Sequence, residues 1–232
     1  MARALDVTTS MAATVFRLGA GMSVGPLGRR PKKPLELYEF EACPYCRKVR
    51  EALSMLDLEA VVYPCPKGGT RFRDRVKKLG GKLQFPYLVD PNTDTAMYES
   101  DDIIAYLYRT YGKSSPPLVL RLGPLTLLTS SLASAMRPMS GARRVPSRAP
   151  KQMLELYSFE ISPYCRLARE ALCSLELPYL LHNVAKQSPS REAFIKRSGK
   201  MMVPYLVDPN TETAMFESAD IVAYLYETYA AE

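Results

Sequence analysis

The sequence predicts an α/β protein built from two tandem modules, each ordered β-α-β-α-β-β-α around a mixed four-stranded sheet. Three observations carry this reading. Residues 35–58, LELYEFEACPYCRKVREALSMLDL, return at 154–177 as LELYSFEISPYCRLAREALCSLEL with 16 of 24 positions identical. Residues 86–108, PYLVDPNTDTAMYESDDIIAYLY, return at 204–226 with 19 of 23 identical, so the chain is a tandem duplication. Within each copy, short runs of period-two alternation are separated by runs with apolar residues at helical spacing.

The elements follow in order. Leu35 to Phe40 alternates apolar and polar residues as a strand does. Tyr45 to Leu58 then sets Val49, Ala52, Leu53 and Leu56 on one helical stripe. A β-rich stretch, Ala60 to Tyr63, is followed by a basic helix around Phe72 to Leu79 and a strand at Tyr87 to Val89. Asp90-Pro91-Asn92-Thr93 reads as a turn, leading to a short strand through Met97 and a helix from Asp101 to Tyr111. The second copy repeats the series at Leu154–Phe159, Tyr164–Leu177, Leu180–Asn183, Arg191–Ser198, Tyr205–Val207, Ala214–Phe216 and Ala219–Tyr229.

The modules so defined span residues 35–112 and 154–230, with a leader at 1–34 and a linker at 113–153. The formal charge of +7 belongs to the connecting segments: the leader holds a net +5 and the linker a net +7, leaving the rest at −5. A nucleic-acid surface is therefore not expected, although the basic linker could meet an acidic protein or an anionic membrane. Apolar residues from Pro117 to Met136 are interrupted by Arg121, Gly123 and Pro124, so no transmembrane segment is expected. Leu125, Leu128, Leu132 and Ala135 there read as a helix packed across the modules. The leader is rich in Arg, Ser and Thr and poor in acids, as transit peptides are. Its stretch from Met22-Ser23 to Pro34 nevertheless parallels Met139-Ser140 to Pro150, so it reads as part of the mature unit.

Composition bounds the chemistry. At 47% apolar and 24% charged residues the chain is neither disordered nor fibrous. Five Cys and one His, with no second CxxC, argue against a metal site, and an odd Cys count argues against a fully paired secreted framework. A reducing cytoplasm or organelle stroma fits better.

Cys43-Pro44-Tyr45-Cys46 follows a strand and opens a helix. A thiol there meets unpaired helix N–H groups, and Arg47 and Lys48 add positive charge, so Cys43 is expected to ionise below the ordinary thiol value. Cys46, one turn inward, could resolve a mixed disulfide formed at Cys43. Phe85-Pro86 and Val203-Pro204 each lead a strand, a position that suggests a cis bond presenting backbone groups to an extended peptide. Ser100, after Glu99, reads as the cap of the last helix, where a hydroxyl and first-turn N–H groups could hold a carboxylate while Glu99 pairs with an amine.

Together, CPYC after a strand, the PYLVD strand and the ESDDI helix start resemble the glutaredoxin-like N-terminal domain of glutathione S-transferases, within the thioredoxin fold. The tandem arrangement resembles two-module thioredoxin-family proteins predicted for chloroplasts of plants and algae, which implies a plastid location. The resemblance covers about 78 residues of each half. It implies glutathione as ligand, Cys43 as the redox or glutathione-capturing residue with Cys46 beside it, and Tyr45, Phe85, Pro86, Glu99 and Ser100 as its binding site. Full transferases carry an all-helical domain after this one, and the chain ends three residues beyond Tyr229. Transfer to hydrophobic electrophiles is therefore not the expected activity.

The second copy departs from the first at the nucleophile. Ser162 stands where Cys43 does, so dithiol exchange is excluded there, while Tyr164, Cys165, Val203, Pro204, Glu217 and Ser218 could still frame glutathione. That copy is either a second glutathione site or a degenerate packing partner. Cys65, in Pro64-Cys65-Pro66-Lys67, reads as an exposed loop thiol and a candidate accessory to Cys43. Cys173 reads as a small, partly buried side chain, and His182 is given no role. The repeated tyrosines at 106, 108, 111, 224, 226 and 229 read as core or interface. Two functional classes follow. One is a glutathione- or dithiol-linked thiol-disulfide oxidoreductase acting on glutathione or protein disulfides; the other is a non-catalytic scaffold of two thioredoxin folds. Transferase or isomerase activity is a lesser alternative, and the oligomeric state is open.

Overall fold

A computed structural model describes residues 20–121 and 140–231. The proposed linker helix around Leu125 to Ala135 and the first part of the leader lie outside the described residues. The first module runs β1 (Leu35–Glu39), α1 (Pro44–Met55), β2 (Ala60–Pro64), α2 (Arg73–Gly80), β3 (Tyr87–Asp90), β4 (Thr95–Met97) and α3 (Ser100–Tyr111), followed by a helical turn α4 (Leu118–Arg121). The second repeats it as β5 (Leu154–Ser158), α5 (Pro163–Ser174), β6 (Tyr179–Asn183), α6 (Ser190–Ser198), β7 (Tyr205–Asp208), β8 (Thr213–Met215) and α7 (Ser218–Tyr229).

The two four-stranded sheets are one. Strand order is β4-β3-β1-β2-β6-β5-β7-β8, because β2 and β6 pair antiparallel at Ala60–Leu181, Val61–Leu180 and Val62–Tyr179. In each half the first two strands are parallel, joined by an α-crossover, the third runs antiparallel to the first, and a tight turn makes the third and fourth antiparallel. The predicted stripe of Val49, Ala52, Leu53 and Leu56 packs on Leu35, Leu37, Leu88, Ile103 and Leu107 to form the first core. Val62 belongs to the second core, beside Tyr179 and Leu181, so apolar packing crosses the junction. Burying side chains of this size stabilises by roughly 1.5–3 kcal/mol each, which makes the junction part of the fold rather than a loose contact.

The segments before β1 and β5 are reciprocal straps. The Val24 N–H donates to Lys186 O at 2.9 Å and Lys186 N–H to Met22 O at 2.8 Å, tying the first segment to the second module. Lys67 N–H donates to Ala142 O at 2.7 Å and Arg144 N–H to Lys67 O at 3.0 Å, tying the second segment to the first module. Met22 thus corresponds to Ala142, not to Met139 as the shared Met-Ser suggested. The true equivalence lies in backbone pairing, which leaves little trace in side-chain identity.

The tyrosines divide. Tyr106 and Tyr111 hydroxyls donate to Asp90 Oδ2 at 2.6 and 2.5 Å, and Tyr224 and Tyr229 do the same to Asp208 at 2.7 and 2.5 Å. Burial would raise these two carboxyl pKa values. The tyrosine and asparagine hydrogen bonds outweigh it and hold both low. Tyr226, by contrast, is exposed.

Candidate functional site

Cys43 is the N-cap of α1, with Pro44 locking the first turn. Its sulfur accepts the Cys46 backbone N–H at 3.3 Å. The thiol is held below its ordinary value chiefly by a hydrogen bond from the Cys46 side chain, with the Cys46 and Tyr45 backbone N–H groups assisting against burial and the Glu39 charge. Burial and the bond to Cys43 push the Cys46 thiol far up, so of the two thiols Cys43 is the one that ionises more readily. Cys43 itself is only 4% exposed, and the neighbouring Tyr45 ring stands 45% exposed. The two cations expected to assist are engaged elsewhere. Lys48 is buried and paired with Asp101, and Arg47 is buried, which lowers its pKa against the attraction of Glu160 and Glu41.

Beside this helix start lies a cleft of about 270 Å³ lined by Tyr45, Gln84, Phe85, Pro86, Glu99 and Ser100. Both X-Pro bonds, Phe85-Pro86 and Val203-Pro204, are cis. The last helix begins one residue earlier than expected. Glu99, not Ser100, is the cap residue, and Ser100 is the buried first residue of α3. Glu99 adopts φ +65°, and Glu217 in the second copy φ +66°, a conformation that costs a non-glycine residue on the order of 1–3 kcal/mol. Gln84 Nε2 donates to Glu99 Oε1 at 2.6 Å and Lys82 Nζ lies 3.8 Å from the same oxygen. Sequence reading missed Lys82, Gln84 and the Lys48–Asp101 pair. The available signal was internal for three of them, since the second copy has Met202, Leu167 and Ala219 where the first has Gln84, Lys48 and Asp101, whereas Lys200 matches Lys82.

Cys65 is a correction. It is fully buried among Tyr38, Val76 and Tyr87, and burial pushes its thiol far up, because its N–H donates to Glu39 O at 2.6 Å and so continues the β1–β2 ladder instead of entering a projecting loop. Cys173 is also buried. Its Sγ donates to Gly141 O at 3.1 Å and accepts the Glu41 N–H at 3.4 Å. His182, given no role from the sequence, has two acid partners, Glu59 Oε1 at 2.5 Å across the junction and Glu155 Oε2 at 3.2 Å.

In the second copy Ser162 caps α5, accepting the Cys165 N–H at 3.3 Å, and Cys165 is fully buried. Tyr164 is exposed, Val203 half-buried and Ser218 buried at the start of α7. The two loops that lead to Cys43 and Ser162 meet in a buried ionic cluster. Arg50 of α1 donates from Nε to Glu160 Oε2 at 3.0 Å, pairs with Glu39 and lies 3.2 Å from Glu41 Oε1. Arg169 of α5 donates to both oxygens of Glu41 at 3.1 and 3.2 Å, and to Ser158 Oγ at 3.2 Å. Arg169 Nη2 is also 3.0 Å from Glu160 Oε2.

A family model described as the glutathione S-transferase N-terminal domain matches this chain twice, at residues 37–115 and 156–232. The chain belongs to that family. As a tandem pair of glutathione S-transferase N-terminal domains, it is similar to Bombyx mori glutathione transferase BmGSTD1 at 26% identity, over 37% of this chain and 39% of that one, with TM-score 0.32. It is also similar to the Leishmania protein TDR1, described as a unique trimeric glutathione transferase, at 14% identity over 86% of this chain and 68% of that one, with TM-score 0.31. The chain thus spans well under half the length of the Bombyx transferase it matches. Among curated proteins none matches. Among the described residues no helix is long and apolar enough to cross a membrane, and no group of metal-ligating side chains converges.

Proposed function

We propose that this tandem glutathione S-transferase N-terminal domain protein is a glutathione-linked thiol-disulfide oxidoreductase acting through Cys43. The carrying observation is the polarised cysteine pair at the start of α1, a lowered Cys43 thiol bonded to the Cys46 N–H at 3.3 Å. In this reading the Cys43 thiolate attacks the glutathionyl sulfur of a mixed disulfide. The Cys43–S–S–glutathione bond forms as the client S–S bond breaks, and the client leaves as a thiolate that takes a proton from solvent. Attack on the new bond by Cys46, after it gives up its proton, releases glutathione and leaves a Cys43–Cys46 disulfide. Two further glutathione molecules reduce that disulfide and leave as glutathione disulfide.

The residues present suit a small peptide with charged ends. The first-turn N–H groups of α3 and the buried Ser100 favour a carboxylate, and Glu99 with Gln84 and Lys82 surrounds the same end of the cleft. Phe85 and Pro86 line its wall beside Tyr45. The second copy keeps Tyr164, Pro204, Glu217 and Ser218, with Ser162 and Val203 in place of Cys43 and Phe85, and in this reading can hold glutathione through a serine hydroxyl without exchanging disulfides. A plastid location and protein disulfides as clients belong to the same reading.

The test compares the parent with Cys43→Ser in glutathione-dependent reduction of a glutathione mixed disulfide. The variant is expected to lose at least about a hundredfold in rate, since a serine hydroxyl supplies no thiolate and the Cys46 thiol left behind is pushed up by burial; equal rates would refute the proposal. The near-complete cover over Cys43, 4% exposed, favours a second reading as a non-catalytic scaffold. A Cys43–Cys46 pair that fails to cycle in a redox titration against glutathione would select it.

A further inference from the structure

The second copy has lost its nucleophile, yet its helix α5 holds the loop of the first. Glu41 stands two residues before Cys43, and the hydrogen bonds and ion pairs on its side chain and N–H come, with one exception, from the second module. Arg169 Nε and Nη2 grip its two oxygens at 3.1 and 3.2 Å, Cys173 Sγ accepts its N–H at 3.4 Å, and Arg50 of its own module completes the set at 3.2 Å. Both members of the Arg169–Glu41 pair are 1% exposed, so the geometry is not blurred by solvent. A two-pronged guanidinium on a carboxylate fixes direction as well as distance. From Glu41 only Ala42 intervenes before the sulfur that must reach the Cys46 N–H.

We propose that Arg169 of the second module is a positioning residue for the Cys43 thiol, holding the Glu41-Ala42-Cys43 loop so that the sulfur stays on the helix N-terminus. This rests on Cys43 being the reacting thiol. The copy without a nucleophile thereby keeps a role, through its helix α5 rather than through its own site. Displacement of a reacting atom by about 1 Å can cost on the order of a hundredfold in rate, so a loop held from outside its own module is a sensitive control point.

The test is the pH profile of Cys43 alkylation by iodoacetamide, with the modified residue identified by mass spectrometry. Arg169→Lys keeps the charge but cannot span both oxygens. A double variant, Glu41→Gln with Arg169→Gln, replaces the ion pair by neutral hydrogen-bonding groups in case the lysine variant does not fold. In either folded variant the alkylation midpoint should rise by about one pH unit, a roughly tenfold slower reaction below it. Asp208→Asn weakens the second module at the outer part of the sheet, where Tyr224 and Tyr229 bond to it, and should leave the profile unmoved. An unchanged profile in the folded seam variants, or an equal shift in Asp208→Asn, overturns the inference while leaving the thiol assignment standing. A parent whose Cys43 reacts with an ordinary cysteine profile overturns the thiol assignment, and the inference with it.

Discussion

At the scale of single residues, the two copies differ most tellingly where charge is buried. Three carboxylates, Glu39, Glu41 and Glu160, share two guanidiniums, Arg50 and Arg169, and all five groups are nearly inaccessible. Within this bonded set one carboxylate is in excess, because Ser158 occupies the position in the second copy that Glu39 holds in the first. Burial raises the Glu39 pKa to about 7, with Glu41 and Glu160 adding repulsion against the attraction of Arg50. Burial would raise Glu160 as well, but Arg169, Arg50 and Arg47 outweigh it and bring that carboxyl to about 2. Glu39 therefore binds its proton more tightly folded than unfolded. The stability it contributes is present below the ordinary carboxylate value and is lost as pH rises through about 7. Glu39→Gln should remove that loss, so parent stability should fall relative to the variant between about pH 5 and about pH 8, by a few kcal/mol at most. Parallel curves from chemical denaturation across that range would show that Glu39 titrates normally. Only part of this was legible beforehand: period-two alternation sets Glu39 on the face of Leu35 and Leu37, opposite Glu36, but nothing in the strand shows which guanidiniums reach it.

At the scale of elements, most of the lining of the candidate cleft was legible. A strand, a Pro-started helix and a second X-Pro strand are local patterns, and their ends follow from caps and backbone limits that each residue carries with it. The start of α3 slipped by one residue because Glu99 takes a positive φ that its side chain does not advertise. The straps were partly legible, as parallel small-residue stretches, but their register was not. Gly141 shows what the register demands. It has φ +65°, and an added Cβ would fall 2.8 Å from Glu41 Cβ and 3.2 Å from Glu170 Cα. Gly141→Ala should destabilise the protein by about 1–3 kcal/mol, combining backbone strain with overpacking, as read from the shift of the urea midpoint. A change within about 0.5 kcal/mol, as for an ordinary surface substitution, would mean the strap yields without cost.

At the scale of the whole molecule, the sheet of eight strands and the exchanged straps make two sequence repeats into one structure. Val62 sits in the second core, Asn183 Nδ2 donates to Leu58 O at 2.8 Å, and Arg71 Nη1 donates to Leu175 O at 2.9 Å, so contacts cross from both sides. The protein should therefore unfold in a single calorimetric transition whose van't Hoff and calorimetric enthalpies agree. Two resolved transitions would show the modules to be thermodynamically separate. The sequence by itself determined the duplication, the order of elements within each copy, the family and the cysteine poised at a helix start, because those depend on short-range periodicity and on residues adjacent along the chain. Tertiary structure alone decided that β2 meets β6, that Arg50 and Arg169 reach into each other's loops, and that Cys65 is sealed. Charged stripes ordinarily face water, and only the approach of a second, similar surface turns such a stripe into an interior.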